Sequence, residues 1–443
     1  MNSNRRRGLL AMLALILVLA AAFLLPSGRP DPAEGNTPAS LVPGPQGDQA
    51  FSPTPEPATL PEAVSEQPSG EAKQTVGAVS AEDSSEPPVQ TGLLSLSAVY
   101  ADYFRMGAAI EPEQTEGRTV ELLKQQVNWI VAENAMKPDA IEPAEGSFTW
   151  ERADRIVAFA KANGMGLRFH TLVWHSQTPE WFFRDEAGQA MADETDAKKR
   201  ETNKKLLLQR LDTYISTVVG RYKHDISSWD VVNEVIEPGD PEGMRASNWY
   251  KITGTGFIET AFRAARKAGG PDIKLYINDY GTDNPVKRDR LYDLVKVMLE
   301  KGVPIDGVGH QTHINLEYPS TQSIIESMQK FHDLGLDNQI TELDMSLYVY
   351  NDLSDVGADV PGDILQQQAE RYGELFDALR TRKELLSGVM FWGISDDHTW
   401  LSTFPVVRTE APLLFDKQLQ AKLAFQAVTG FQIGFKPAIV KKW

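Results

Sequence analysis

Two carboxylates stand out in the sequence for the residues around them. Glu234 closes the run Trp229-Asp230-Val231-Val232-Asn233-Glu234, and Glu342 lies within Ile340-Thr341-Glu342-Leu343-Asp344. Each follows a short apolar stretch, where a strand would hand its last side chains to a loop. Other residues in equivalent positions are polar or aromatic: Glu133, Asn134 and Lys137; His170, Trp174, His175, Gln177 and Trp181; Asn278, Asp279 and Tyr280; Gln311 and His313; Trp392 and Trp400. Indole faces stack on the apolar faces of sugar rings, while amides, imidazoles and ammonium groups hydrogen-bond a rim of hydroxyls. Two carboxylates across such a groove are the minimum for cleaving a glycosidic bond. No phosphate cradle, Ser-His-Asp set or metal cluster competes with that reading.

The elements that must position these residues repeat one pattern from about residue 91 to the end. Short runs rich in β-branched and aromatic residues predict strands at 104–109, 129–133, 166–170, 228–233, 273–278, 307–311, 339–342 and 388–392. Amphipathic stretches predict helices at 119–127, 150–163, 204–222, 255–268, 287–301, 320–334, 364–381 and 417–429. Gly164, Gly302 and Gly335 fall where helix C-termini favour positive φ. Eight β/α units in about 340 residues fit a (β/α)8 TIM barrel, in which strand C-termini carry function. A doubly wound sheet also alternates, but no Gly-rich phosphate turn follows the first strand.

Composition narrows the partners. With 44 basic and 61 acidic residues the formal charge is −17, which leaves no cationic excess for nucleic acid. The absence of cysteine rules out disulfides and thiolate chemistry, and the seven histidines show no metal-ligand spacing. Arg5, Arg6 and Arg7 precede an apolar run over 8–25, ended by Pro26. That pattern predicts an export segment over 1–28, either a cleaved signal peptide or an uncleaved membrane anchor through residues 8–25. The remaining chain is then expected outside the cell, free or held at its surface. Residues 29–91 are rich in Pro, Glu and Ser and poor in aromatics, so they are expected to form a disordered spacer. The barrel is expected over 92–434, acting as a monomer.

The motifs resemble glycoside hydrolase family 10 xylanases. Besides the two carboxylate motifs, Ala132-Glu133-Asn134-Ala135-Met136-Lys137-Pro138 and His170-Thr171-Leu172-Val173-Trp174-His175-Ser176-Gln177-Thr178-Pro179 are similar to that family's pattern. So are Asn278-Asp279-Tyr280, Gly307-Val308-Gly309-His310-Gln311-Thr312-His313, Phe391-Trp392-Gly393 and Ala411-Pro412-Leu413-Leu414-Phe415-Asp416. The set spans nearly all of residues 92–430 in the family's order. The resemblance implies retaining endo-hydrolysis of β-1,4-xylosidic bonds, with Glu234 as acid/base and Glu342 as nucleophile. It implies that Asn233 holds the sugar 2-hydroxyl, that His313 supports Glu342, and that Asp344 orients His313. Glu133, Asn134 and Lys137 would bind glycone sugars, with His170, Trp174 and Gln311 around the sugar being cleaved and Trp392 and Trp400 roofing it. Crowding there favours a pentose, hence xylan. Glu234 is expected to have a raised pKa and to lie about 5–5.5 Å from Glu342. No cofactor is implied.

Other readings stay open at this stage. An endo-β-1,4-glucanase or mixed-specificity enzyme would use the same barrel, and a non-catalytic wall-polysaccharide binding protein could keep the aromatic groove. His170 or His313 alone would suit a satisfied core position. Trp181 is expected to pack, and Trp229, Trp249 and Trp443 to be structural. Gln177 is expected to act through a water or a neighbouring side chain. Asp279 and Tyr280 either face the aglycone or brace the strand end, and Gly281 stands where many relatives carry Asn.

Overall fold

A computed structural model of the chain describes residue 90, residues 92–240 and residues 242–433. The expected export segment, nearly all of the expected spacer and Trp443 lie outside the described residues. The strands are β1 (Arg105–Ile110), β2 (Trp129–Ala132), β3 (Gly166–Phe169), β4 (Ser228–Asn233), β5 (Lys274–Asp279), β6 (Gly307–His310), β7 (His313–Asn315), β8 (Asp337–Ser346) and β9 (Gly388–Phe391). Every ladder is parallel. β1 pairs with both β2 and β9, and β6 pairs with β8, so eight strands close on themselves. This is the expected (β/α)8 barrel. Packed side chains inside the ring and helices outside it cover both faces of the sheet, so β2, β4, β6 and β9 are buried throughout.

The helices cover the outside of the ring. Glu151–Ala162 buries Ala153, Ile156, Val157 and Ala160, the three-and-four spacing of one helical face. Ala197–Tyr222 begins earlier than expected because Asp196 caps it, accepting hydrogen bonds from the amides of Lys198 and Lys199. Gly164, Gly302 and Gly335 do adopt positive φ, between 65° and 79°. The expected last helix, 417–429, is a correction: only Leu423–Thr429 is helical. Asp416 accepts hydrogen bonds from the amides of Gln418 and Gln420, and Leu419 has φ 64°, so the chain turns there instead of winding.

Three departures on the strands bear on the site. β1 lies one residue later than expected, which brings Glu111 to its end. β8 runs well past Glu342, and its far end pairs with β7, a short strand the sequence pattern did not suggest. The ladders also slip between Asp230 and Val232 on β4 and between Ile340 and Leu343 on β8. Side chains alternate along a regular strand, so counting on from Gln339 would turn Glu342 to the outer face. The bulge re-aims it into the mouth.

Inside the barrel the packing is polar at one level. Arg168 on β3 is fully buried, pairs with Asp230 on β4 and donates to Gln339 on β8. Its guanidinium also lies 4.6 Å from the centre of the Tyr276 ring on β5. Room for these large groups comes from β6. A Cβ on Gly309 would stand 2.2 Å from Asn278 Oδ1, and one on Gly307 would stand 2.4 Å from the Tyr276 ring and 2.5 Å from the Asp337 carbonyl. Since neither a packed ring nor a backbone carbonyl yields easily, Gly307→Ala is expected to cost about 1–3 kcal/mol by overpacking. A thermal melt followed by circular dichroism checks this, the expected outcome being a midpoint several degrees below the parent.

Candidate active site

Glu342 lies at the β8 bulge, 4% exposed, with both carboxylate oxygens engaged. Asn278 Nδ2 donates to Oε1 at 2.7 Å, and His313 Nε2 lies 3.2 Å from Oε2. The other ring nitrogen of His313 is 2.9 Å from Asp344 Oδ1, and Asp344 Oδ2 accepts from Trp400 Nε1 at 2.8 Å. Burial works to depress the His313 pKa, but Asp344 and Glu342 outweigh it and push it up to about 10. At neutral pH this imidazole is therefore a cation held between two carboxylates, donating to both.

Glu234 stands on the opposite side of the mouth. Its backbone is left-handed, φ 56°, a conformation that a residue with a Cβ rarely adopts and that clusters at functional sites. Two hydrogen bonds fix it there: its amide donates to Asn278 O at 2.9 Å, and its carbonyl accepts from Arg245 Nε at 2.8 Å. Oε1 accepts from Gln311 Nε2 at 3.0 Å, while Oε2 is 3.7 Å from His175 Nδ1. The side-chain amides of Asn233 and Asn278 lie 2.9 Å apart, and Asn278 in turn holds Glu342. One amide pair thus links the surroundings of the two carboxylates.

The expected rise in the Glu234 pKa is not what the open site gives. Burial raises it, but His175, the Gln311 and Trp174 donors and the Arg245 guanidinium together hold it below the ordinary carboxylate range. Arg245 is the part that sequence reasoning missed. It arrives from the returning arm of the loop after β4, eleven residues beyond Glu234, with its far end on Tyr280 Oη at 2.7 Å. The same burial pushes the His175 imidazole down to about 4.

The remaining expected residues gather at the same mouth. Lys137 is buried and donates to Asn134 Oδ1 at 2.9 Å and to Gln177 Oε1 at 2.8 Å, and its ammonium lies 4.7 Å from the centre of the Trp174 ring. Asn134 Nδ2 donates to Glu111 Oε1 at 2.7 Å, and Glu133 Oε2 is 2.7 Å from His398 Nε2. His170 Nδ1 is 3.1 Å from Asp230, and its ring meets Trp392 edge-on at 5.3 Å. Trp400 meets His313 edge-on at 5.1 Å and stacks on Phe404.

Other expectations resolve as follows. Trp181 packs on Phe182, and Trp229 and Trp249 are buried. Asp279 is a brace: fully buried, 2.8 Å from Lys287 Nζ, and accepting from the Ile236 amide. Besides Arg245, the site gains Glu111 and His398, neither of which was assigned from sequence. Placing β1 one residue later would have revealed Glu111. His398 sits between Trp392 and Trp400, in a loop from which only the tryptophans were chosen. Among the described residues no group of three or more His, Asp or Glu side chains is arranged to hold a metal ion.

Comparison with known proteins agrees with this geometry. The model of "Glycosyl hydrolase family 10" matches residues 95–431. The chain is 64% identical over 334 residues to a "Thermostable celloxylanase" of Thermoclostridium stercorarium, covering 75% of this chain and 86% of that protein. It is 53% identical over 351 residues to an "Endo-1,4-beta-xylanase A" of Halalkalibacterium halodurans, covering 78% and 88% respectively. The crystal structure of xylanase B from Clostridium stercorarium F9 is 64% identical and superposes with a TM-score of 0.76, over 76% of this chain and 99% of that one. Because the family match runs through every strand of the barrel and both carboxylate motifs, the chain belongs to glycosyl hydrolase family 10.

Proposed function

We propose that this chain is an endo-1,4-β-xylanase that cleaves internal bonds of xylan with retention of anomeric configuration. The observation that carries the reading is the unequal treatment of the two carboxylates. Glu342 is oriented by Asn278 and a cationic His313, as a group must be that attacks while ionised. Glu234 is carried on a strained turn, with Oε1 held by Gln311 and its side chain at the open mouth, where it can meet a glycosidic oxygen. Relatives of this chain are named as xylanases, and one crystallised relative is held with xylotriose.

In the first step Glu342 attacks the anomeric carbon and Glu234 gives its proton to the departing sugar oxygen. In the second, Glu234 takes a proton from water, whose oxygen displaces Glu342. The donors that favour the Glu234 carboxylate in the open site suit the second step. Protonation for the first is favoured once sugar covers the mouth and expels water, since desolvation is already the largest influence on this group. In this reading Asn233, beside Glu234, holds the 2-hydroxyl, while Glu133, Asn134 and Lys137 receive glycone sugars and Gln311, His170, Trp174, Trp392 and Trp400 surround the sugar being cut.

A mixed specificity is favoured by one observation, the "celloxylanase" name of a relative at 64% identity. We also propose that residues 1–28 export or anchor the chain ahead of a spacer, on the basis of the Arg5–Arg7 cluster and the apolar run over 8–25.

Three outcomes are expected. The parent releases reducing sugar from glucuronoxylan, and Glu342→Gln loses the activity by about six orders of magnitude, as when a nucleophile is removed. Proton NMR of the fresh hydrolysate shows the β-anomer first; an initial α-anomer would mean inversion. Turnover of carboxymethylcellulose beside xylan would establish the mixed specificity.

The fourth outcome concerns His313. Its folded pKa lies above the unfolded value of about 6.5, so its contribution to stability is complete below that pH and is lost as pH rises through about 10. In Asp344→Asn the imidazole loses a carboxylate partner, and its NMR titration is expected to move down toward the ordinary histidine range.

A further inference from the structure

The loop after β9 does more than carry Trp400. It starts at Gly393, whose φ of 134° and missing Cβ let Leu413 and the His398 carbonyl pack against it. Asp396 is buried beneath it, 2.8 Å from Lys422 Nζ and accepting from the Leu413 amide at 2.8 Å. Thr399 caps the short 3-10 turn Trp400–Ser402. Pinned at both ends, the loop presents His398 with its side chain 45% exposed and Nε2 at 2.7 Å from Glu133 Oε2.

Glu133 follows β2, which is separated from β9 in the ring only by β1, although it is 265 residues away in sequence. Its neighbours are saturated: Asn134 is engaged by Glu111, Lys137 and Gln177, and Lys137 by Asn134 and Gln177. Glu133 Oε1 has no protein hydrogen bond among the described residues. His398 is therefore the one side chain that fixes the direction of this carboxylate. The hydrogen bond to Glu133 raises the imidazole pKa, with Glu111 and Asp397 adding to it and burial opposing. The charged groups facing the pair are Glu111 from the end of β1, Arg152 on that carboxylate, Lys137 after β2, and Asp397 beside His398 in its own loop.

We propose that His398 is a specificity-determining positioning residue: from the loop after β9 it clasps Glu133 at the end of β2, over the intervening β1, and aims the free oxygen at the glycone sugar next to the one being cleaved. This rests on the functional reading above. It makes the groove favour substrates long enough to reach the clasp, because the contact forms with the bound sugar and not with the reacting centre. Losing it then weakens ground state and transition state alike and appears in KM.

The test compares 2,4-dinitrophenyl β-xylobioside, which carries the second glycone sugar that the proposal puts at Glu133, with 2,4-dinitrophenyl β-xyloside, which lacks it. For His398→Ala we expect KM on the xylobioside to rise about fivefold, as befits a half-exposed charged hydrogen bond, with kcat nearly constant and a much smaller change on the xyloside. In the parent, KM on the xylobioside should climb as pH rises past the imidazole pKa. His398→Gln, which keeps a donor but no titrating ring, should retain most of the affinity and lose that pH dependence. Equal changes on both substrates, an unchanged KM on the xylobioside, or a pH dependence that survives in His398→Gln would overturn the proposal. A parent that turns over neither substrate nor xylan would instead sink the functional reading.

Discussion

A buried carboxylate on the barrel axis underlies the whole site. Asp230 is 1% exposed, and an unpaired charge there would be untenable. Arg168 neutralises it, and His170 shares its second oxygen. Removing one member of such a pair typically costs about 3–5 kcal/mol because the other is left stranded. The pair also fixes geometry. Arg168 needs Tyr276 beneath it and Gln339 beside it, which in turn requires glycines on β6. His170, tied to Asp230 through Nδ1, has its other ring nitrogen left over for the groove.

Above that level the two carboxylates are set apart by how the backbone delivers them. Glu342 comes from a strand, through a bulge, into a cage of donors. Glu234 comes from a strained turn whose peptide groups are clamped by Asn278 and Arg245. One barrel therefore surrounds its two acids differently, one inside a bulged strand and the other just past a strand end. Asn278 touches both arrangements, with its backbone under Glu234 and its amide on Glu342, so a shift of β5 would disturb both carboxylates together.

Much of this was legible in the sequence because a parallel barrel makes few local compromises. Most strands contain a short apolar run whose C-terminal neighbours face the mouth, so the placing of Glu133, Asn134, His170, Asn233, Glu234, Gln311, Glu342 and Trp392 at that mouth could be read off in order. What escaped depends on features without a local signature. The β8 bulge breaks the period by which a side chain's face is inferred. Arg245 reaches Glu234 by a loop return whose course is set by tertiary contacts. Glu111 was hidden by a one-residue error in placing β1. The hold on the Glu234 carboxylate escaped because its donors lie on three separate segments. The last helix failed because Asp416 and Leu419 turn the chain where the apolar pattern alone favoured winding.

The closure of β6 onto β8 and of β9 onto β1 has a kinetic side. Glu234 and its donors come from one arc of the ring, Glu342 and Asp344 from another, and the Glu133–His398 contact spans 265 residues. The groups around Glu234 run from Trp174 to Gln311 and those around Glu342 from Asn278 to Asp344, so each acid is completed only when several successive strands have joined the ring. Contacts of such long sequence separation form late, after the entropic cost of closing the ring has been met. During folding, then, catalytic competence should arrive abruptly and last, which makes turnover a reporter of the moment the ring becomes continuous.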